Sequence, residues 1–444
     1  MSKTLNMTEG RPLRLLIRFA LPLMFANMFQ QLYTVVDTAI VGRGVSMTAL
    51  AALGSVDWLN WMMLGIAQGF TQGFSVRIAQ KFGEGDQKGL QRYMGQAAII
   101  SAVLAVLCTV LGQLTMPLFF WVLRVPPGLE DMAALYTRIL MGGVPAIFFF
   151  NYCSSVLRAV GDSKTPLTAI AVAAVTNIAL DYVTVMVFDW GIAGAAGATL
   201  ASQCLSGAIC LWRIFRTPQL RFSKTDMRPQ TESIQNLLRL GAPSAFKNLM
   251  VAVGGMAVMM VVNQCSTPFI AGVTATNKLY GLLEIAALSY GYAVITYVGQ
   301  NYGAMRHDRI KSGMKSATVL ALVTSVIIGA VMIVFGRSIV SVFISADTPE
   351  ETAAACKAAY QYLCVMAGGM PVLYMLYLLL SALQGLGDAV RPMVSGFVEL
   401  AMRVSVALIV GLAGGETGIF AAEIAAWVGA AGYLLCHFRK RMRE

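Results

Sequence analysis

The chain has 444 residues, of which 57% are hydrophobic and only 12% charged, and its formal net charge is +11. A soluble protein of this length needs a more polar surface, so the composition predicts an integral membrane protein. We interpret the positive charge as cytoplasmic loop charge, because the sequence contains no aromatic and basic nucleic-acid-binding module.

Charge clusters and Gly or Pro positions divide the chain into twelve apolar segments. Each segment is long enough to cross a bilayer as a helix, which predicts an all-α membrane protein with twelve transmembrane helices. The predicted spans are 13–42, 49–80, 92–122, 131–160, 165–189, 191–214, 234–264, 269–300, 310–336, 353–386, 391–413 and 417–438.

The 33 Lys and Arg residues are distributed unevenly over the two sides of these spans. With the N-terminus inside, 25 lie at inward ends and loops, five lie outside and three lie within spans. Under the positive-inside rule, this distribution predicts a multi-pass protein with both termini in the cytoplasm. We expect it in a bacterial inner membrane, with the basic N-terminal stretch leading into a retained first span.

An internal repeat relates residues 136–166 to residues 362–392 at an offset of 226, with nine identities in 31 positions. The identities include two Gly-Asp turns and two prolines within spans, and QKFGEG (80–85) resembles QNYGAM (300–305). Two consecutive halves of six spans predict parallel repeats and an alternating-access transporter. The predicted division is an N-terminal six-helix lobe (1–217), a cytoplasmic linker (218–233) and a C-terminal six-helix lobe (234–444).

Motifs for chemical catalysis are missing from the sequence. There is no phosphate-binding loop of the GxxxxGK[ST] type, and the two histidines, His307 and His437, lie at predicted cytoplasmic ends. No carboxylate pair or Ser/His/Asp set has a catalytic signature, and no ring of charges indicates a channel filter. We therefore expect no enzymatic activity and no cofactor.

Ionisable residues inside spans are rare and indicate function. The first half has Asp37 on span one, Asn177 and Asp181 four residues apart on span five, and Thr199 on span six. Two acids, an amide and a hydroxyl form an oxygen-rich set suited to a proton or to Na⁺. The alternatives are that Asp181 faces water, that Asp37 is a structural acid, and that Asn177 and Thr199 only pack between helices.

The second half has no copy of this set. At the offset of 226 it has Arg403 and Ala407 where span five has its amide and its second acid. Glu399 precedes Arg403 by four residues, and we expect the two to pair. Lys247 and Glu284 lie on neighbouring spans, where they either line the substrate cavity or neutralise each other.

Further candidates for a substrate cavity lie in the first half. Gln68 and Gln72 share one face of span two with the glycines of GIAQGFTQG, and close helix packing is the alternative interpretation. Met28 on span one is a candidate because methionine provides adaptable apolar surface.

Several motifs together resemble the multidrug and toxic compound extrusion (MATE) family, in its DinF-like prokaryotic branch. They are TEGRPLRLLIRFALPLMFANMFQQLYTVVDTAIVGRG, ALAALG, the QxxG-type turns, the Gly-Asp turns and GIAGAAGATLASQ, and the resemblance extends over about residues 8–438. It implies two six-helix lobes in a V shape, cation-driven export of bulky amphipathic compounds, and an ion site in the N-terminal lobe. The family's site residues match Asp37, Asn177, Asp181 and Thr199.

The second lobe departs from another branch of the family, which has acids early in span seven and within span ten. Here these stretches read SAFKNLM and PVLYMLYLLLS, with Lys247 in the first. We expect a secondary active multidrug antiporter that exports amphipathic, often cationic compounds in exchange for protons or Na⁺. The alternatives are a lipid-linked or glycoconjugate flippase of the same superfamily and a receptor that does not transport. The expected partners are small organic substrates and membrane lipids, not nucleic acid, and we expect a monomer.

Overall fold

The computed structural model describes residues 4–123, 125, 128–223, 225–344 and 348–442. These ranges are almost entirely helical and contain no strand. Their α-helices are α1 Pro12–Gly44, α2 Met47–Glu84, α3 Gln87–Leu123, α4 Glu130–Gly142, α5 Val144–Ala159, α6 Lys164–Asp181, α7 Gly191–Arg216, α8 Thr231–Val262, α9 Thr267–Leu283, α10 Ile285–Gly303, α11 His307–Phe343, α12 Pro349–Gly385, α13 Val390–Gly414 and α14 Ala421–Arg441.

The predicted all-α membrane fold is confirmed. Every predicted span coincides with one helix or with two consecutive elements, such as α4 and α5 for the span 131–160. Among the described residues, ten helices are long and apolar enough to cross a membrane, and the pair α4 and α5, bent by 43°, makes eleven. The remaining predicted span corresponds to α2, which is 38 residues long.

The bend between α4 and α5 follows from local sequence. α4 ends at Gly142, and the Gly143 N–H still bonds to the carbonyl groups of Ile139 and Leu140. Pro145 lies in the first turn of α5, where its missing N–H removes no helical hydrogen bond. Its repeat equivalent, Pro371, lies inside the uninterrupted helix α12.

The chain divides into two compact units. Unit 1 comprises Met1–Gly10, Ile17–Ala245 and Gly299–Arg306, and unit 2 comprises Arg11–Leu16, Phe246–Val298 and His307–Glu444. Residues 218–233, the predicted linker, lie within unit 1. The predicted lobe boundaries remain a prediction.

The two Gly-Asp turns of the repeat have the same conformation, one in each unit. Gly161 and Gly387 have φ values of +87° and +86°, a region that favours glycine. The following acid caps the next helix in both cases: Asp162 accepts from the Thr165 N–H at 3.0 Å, and Asp388 accepts from the Arg391 N–H at 3.2 Å. The turns thus start α6 and α13, the helices that carry Asp181 and Arg403.

The two related motifs QKFGEG and QNYGAM pack against each other within unit 1. A Cβ atom at Gly83 would overlap the backbone carbonyl of Gln300, and one at Gly303 would overlap the carbonyl of Gln80. Only glycine allows this reciprocal approach of two helix ends. The Gln300 side chain also accepts from the Met7 N–H at 2.9 Å, which ties the buried N-terminal stretch to the end of α10.

Candidate functional site

Two carboxyl groups meet in the interior of unit 1. Asp37 lies on α1 and Asp181 is the last residue of α6, and their side chains are within hydrogen-bonding distance of each other. Asp181 is fully buried. Within the described ranges, no N–H or O–H group donates to Asp37 Oδ1 or to either carboxyl oxygen of Asp181. Such buried oxygens need a proton, an ion or water to satisfy them.

A small apolar cluster brings the ends of α1 and α6 together. Val41, one turn after Asp37, is buried with Val185 and with Ile192 and Ala195 of α7. A π-helical turn, Tyr182–Val187, begins directly after Asp181. Such turns occur often at functional sites because they redirect the backbone, and this one brings Val185 into the cluster.

Asn177 lies one turn before Asp181 on the same face of α6. Its side chain is 1% exposed, and neither its amide nitrogen nor its amide oxygen has a hydrogen-bond partner among the described residues. Thr199 on α7 lines the same cavity as Asn177. The four residues predicted from the sequence thus lie on three adjacent helical segments of unit 1, two of them as a carboxyl pair and two along one cavity.

The cavity has a volume of about 340 Å³, its mouth included. Its lining residues are Gln30, Tyr33, Phe150, Ile170, Ala173, Asn177, Thr199, Ser202, Gln203 and Ser206.

Five polar lining residues were missed by the sequence analysis. The Tyr33 hydroxyl hydrogen-bonds to the Gln203 side chain, beside the carboxyl pair. Tyr33 precedes Asp37 by four residues, and Gln203 follows Thr199 by four, so helical spacing indicated both. The others, Gln30, Ser202 and Ser206, repeat at similar spacing on α1 and α7.

The arrangement has two chemical capabilities. A pair of carboxyl groups at this distance can share one proton, since two like charges in a buried site oppose joint ionisation. Carboxylate, amide and hydroxyl oxygens are also the ligands that hard cations prefer. The unpartnered oxygens of the acids and of Asn177 fit either a proton or Na⁺.

The remaining predicted cavity residues lie elsewhere. Met28 on α1 is 47% exposed, and Gln68 and Gln72 are partly exposed on α2, but none of the three lines the cavity of unit 1. Lys247 and Glu284 belong to unit 2. Their assignment to a substrate cavity remains a prediction.

Unit 2 contains a separate buried cluster of charges. Arg403 lies 3.9 Å from Glu399, which confirms the predicted pair, and 2.9 Å from Glu423, a nearer partner that the sequence analysis missed. Glu284 accepts from the Tyr377 hydroxyl at 3.2 Å. Lys247 has no carboxylate within 4.0 Å among the described residues, so it does not form an ion pair with Glu284.

Sequence comparison finds relatives that match most of the chain. Residues 22–183 and 243–409 match the MatE family. The probable multidrug resistance protein YpnP of Bacillus subtilis is 29% identical over 77% of this chain and 77% of its own length. The probable multidrug resistance protein NorM of Thermotoga maritima is 24% identical over 91% and 88%. An FAD transporter of Shewanella oneidensis is 22% identical over 74% of each chain.

Solved structures share the fold over the whole chain. A MOP superfamily transporter from Pyrococcus furiosus, described as having a binding pocket of reverse polarity, superposes with a TM-score of 0.93 at 21% identity, over 100% of this chain and 98% of that one. A multidrug resistance MATE family transporter in its outward-facing conformation gives 0.91 at 21% identity, over 100% and 98%. The family match covers well over half of the residues, and the chain therefore belongs to the MATE family of multidrug efflux transporters.

Proposed function

We propose that this protein is a secondary active antiporter of the bacterial inner membrane, with both termini in the cytoplasm. It exports amphipathic, often cationic organic compounds in exchange for protons or Na⁺ by alternating access. The observation that supports coupling is the buried pair Asp37 and Asp181, whose carboxyl oxygens have no donor among the described residues.

Coupling requires that the ion bind the two states of the transporter with different affinities. When Asp37 and Asp181 are neutralised by a proton or a cation, a closed and dry arrangement of α1 and α6 is favourable. When both are ionised, two like charges within a membrane-spanning segment favour a state that admits water. Binding from outside and release inside would thus drive the conformational cycle.

The close approach of the two carboxyl groups favours the proton over Na⁺. A hydrogen bond between them needs one proton, because two ionised carboxylates are both acceptors. A Na⁺ ion would instead separate the carboxyl groups and recruit Asn177 and Thr199. Transport driven by Na⁺ should therefore depend on the Asn177 amide and the Thr199 hydroxyl, whereas transport driven by protons should depend on them less.

The test is transport in proteoliposomes with a proton gradient or a Na⁺ gradient imposed separately. Asp37→Asn and Asp181→Asn should each lower gradient-driven ethidium efflux at least about tenfold. Asp189→Asn is the matched control, because Asp189 is exposed and its φ of 54° suits asparagine. Retained efflux in Asp37→Asn would remove Asp37 from the coupling mechanism.

The substrate panel contains FAD as well as ethidium, because one relative is an FAD transporter. Gradient-driven flux of ethidium without flux of FAD supports drug export. Flux of a lipid-linked sugar alone would support the flippase, and binding without any gradient-driven flux would support a receptor.

A further inference from the structure

Glu284 lies within a long helical span of unit 2. It is the single residue between α9 and α10, which together form the span Thr267–Gly303. The Tyr377 hydroxyl donates to Oε2 of Glu284 at 3.2 Å, and the Tyr280 phenol lies beside the same carboxyl group. Tyr280 is held in place by stacking on Trp427, with 5.9 Å between ring centroids. Glu284 and both tyrosines are partly exposed.

Lys247 of α8 places its ammonium group over the ring of Tyr377. Nζ lies 5.8 Å from the centroid of the Tyr377 ring, and Glu284 is close enough to interact with it electrostatically. Gly396 leaves room for the lysine stem, because a Cβ there would lie 3.2 Å from Lys247 Cγ. Within the described ranges the ammonium makes no ion pair within 4.0 Å, so no carboxylate of these residues holds it directly.

Arg403, the other cation of this cluster, is held by an ion pair and by close packing. Arg403 is 5% exposed, bonds to Glu423 at 2.9 Å, and fits into space left by Gly254. Together with Lys247, the cluster has two cations against three carboxyl groups, those of Glu284, Glu399 and Glu423. When all are ionised, the excess is negative, so the cluster attracts a further cation.

A carboxylate held between aromatic rings, with a cation above one ring, is the arrangement that recognises organic cations. We propose that Glu284, Tyr280 and Tyr377 form a binding site for an organic cation, and that Lys247 is a tethered competitor for it. A substrate cation enters by displacing the lysine ammonium, because two cations cannot occupy the same ring face and carboxylate. This inference depends on the proposed export of cationic compounds and names the site that binds them.

The test is equilibrium binding to the full-length protein in nanodiscs, without any ion gradient. Tetraphenylphosphonium and tetraphenylborate are the probes, because they have nearly the same shape and opposite charge. Lys247→Met should bind tetraphenylphosphonium about tenfold more tightly than the wild type, and adding Glu284→Gln should abolish this gain. Lys278→Met is the control, since Lys278 is an exposed lysine of α9.

Unchanged or weaker tetraphenylphosphonium binding by Lys247→Met would overturn the proposal. So would tetraphenylborate binding that depends on Lys247, which would make the lysine an anion-binding residue. If Lys247→Met does not fold, Lys247→Gln provides the same comparison, and Lys247→Arg should bind as the wild type does. Binding is measured without a gradient, so a failure of ion coupling at Asp37 leaves this result intact.

Discussion

Unit 1 buries two carboxyl groups within hydrogen-bonding distance of each other, whereas unit 2 places the carboxyl groups of Glu399 and Glu423 against Arg403. No Lys or Arg nitrogen of the described residues lies within 4.0 Å of Asp37 or Asp181. The pair in unit 1 therefore depends on a mobile proton or cation for neutralisation. The cluster in unit 2 contains most of its compensating charge in the protein itself.

The internal repeat traces much of this difference in charge compensation to one position. Arg403 is the equivalent of Asn177 at the offset of 226 residues. Asn177 leaves a neutral, unpartnered amide beside the acids of unit 1, and Arg403 places a fixed cation between Glu399 and Glu423. Two copies of one fold thus contain an exchangeable site and a fixed ion-pair network.

Removing the fixed cation should have the largest effect. Arg403→Met leaves Glu399 and Glu423 buried without their cation, and should lower the free energy of unfolding by about 3–5 kcal/mol. Thermal unfolding in detergent measures it, with the exposed Lys311→Met as the control. Adding Glu423→Gln to Arg403→Met should restore part of the loss.

The same measurement on unit 1 should show a much smaller change in stability. Asp181→Asn removes one of two like charges and should change stability by no more than about 1 kcal/mol. Equal losses in Arg403→Met and Asp181→Asn would contradict the distinction between a fixed network and an exchangeable site.

The Gly-Asp turns should show an intermediate difference between the units. Asp388→Ala removes a helix cap and should cost about 1 kcal/mol. Asp162→Ala should cost about 1–2 kcal/mol more, because Asp162 is 4% exposed and binds Arg213 of another helix at 3.2 Å, whereas the pair of Asp388 with Arg391 at 2.6 Å is more exposed to solvent. Chemical unfolding of both variants, compared with Asp162→Asn and Asp388→Asn, separates the cap from the ion pair. Equal losses would show that the buried pair with Arg213 contributes no more than the more exposed pair with Arg391.

The twelve spans could be predicted from the sequence because the bilayer imposes their length and because every backbone group in lipid must be satisfied within a helix. The pairing of Asn177 with Asp181 on one face of α6 was also predictable, since it depends only on helical spacing. The approach of Asp37 to Asp181 depends on the packing of Val41 against Val185, and no local pattern indicates it.

Other features of the structure had no sequence signal. Glu423 contacts Arg403 from a different helix, so spacing along the chain does not indicate the pair. Helical spacing indicated Tyr33 and Gln203 one by one, but not the hydrogen bond between them, because that bond joins two helices.

Acids outside the membrane-spanning segments should show the smallest effect, because backbone donors and water solvate them. Asp226 accepts from the Ser223 N–H at 2.7 Å and from its hydroxyl at 2.8 Å, and these bonds hold the pKa of Asp226 below its ordinary value. The stabilisation is therefore present above the ordinary pKa of about 4 and is lost as the pH falls through the lower pKa of the folded protein. Asp226→Asn should cost only a few tenths of a kcal/mol at neutral pH, since the group is partly exposed and screened by solvent. Thermal unfolding of both proteins should differ slightly at pH 6 and coincide near pH 2, and a difference that grew on acidification would contradict the assignment.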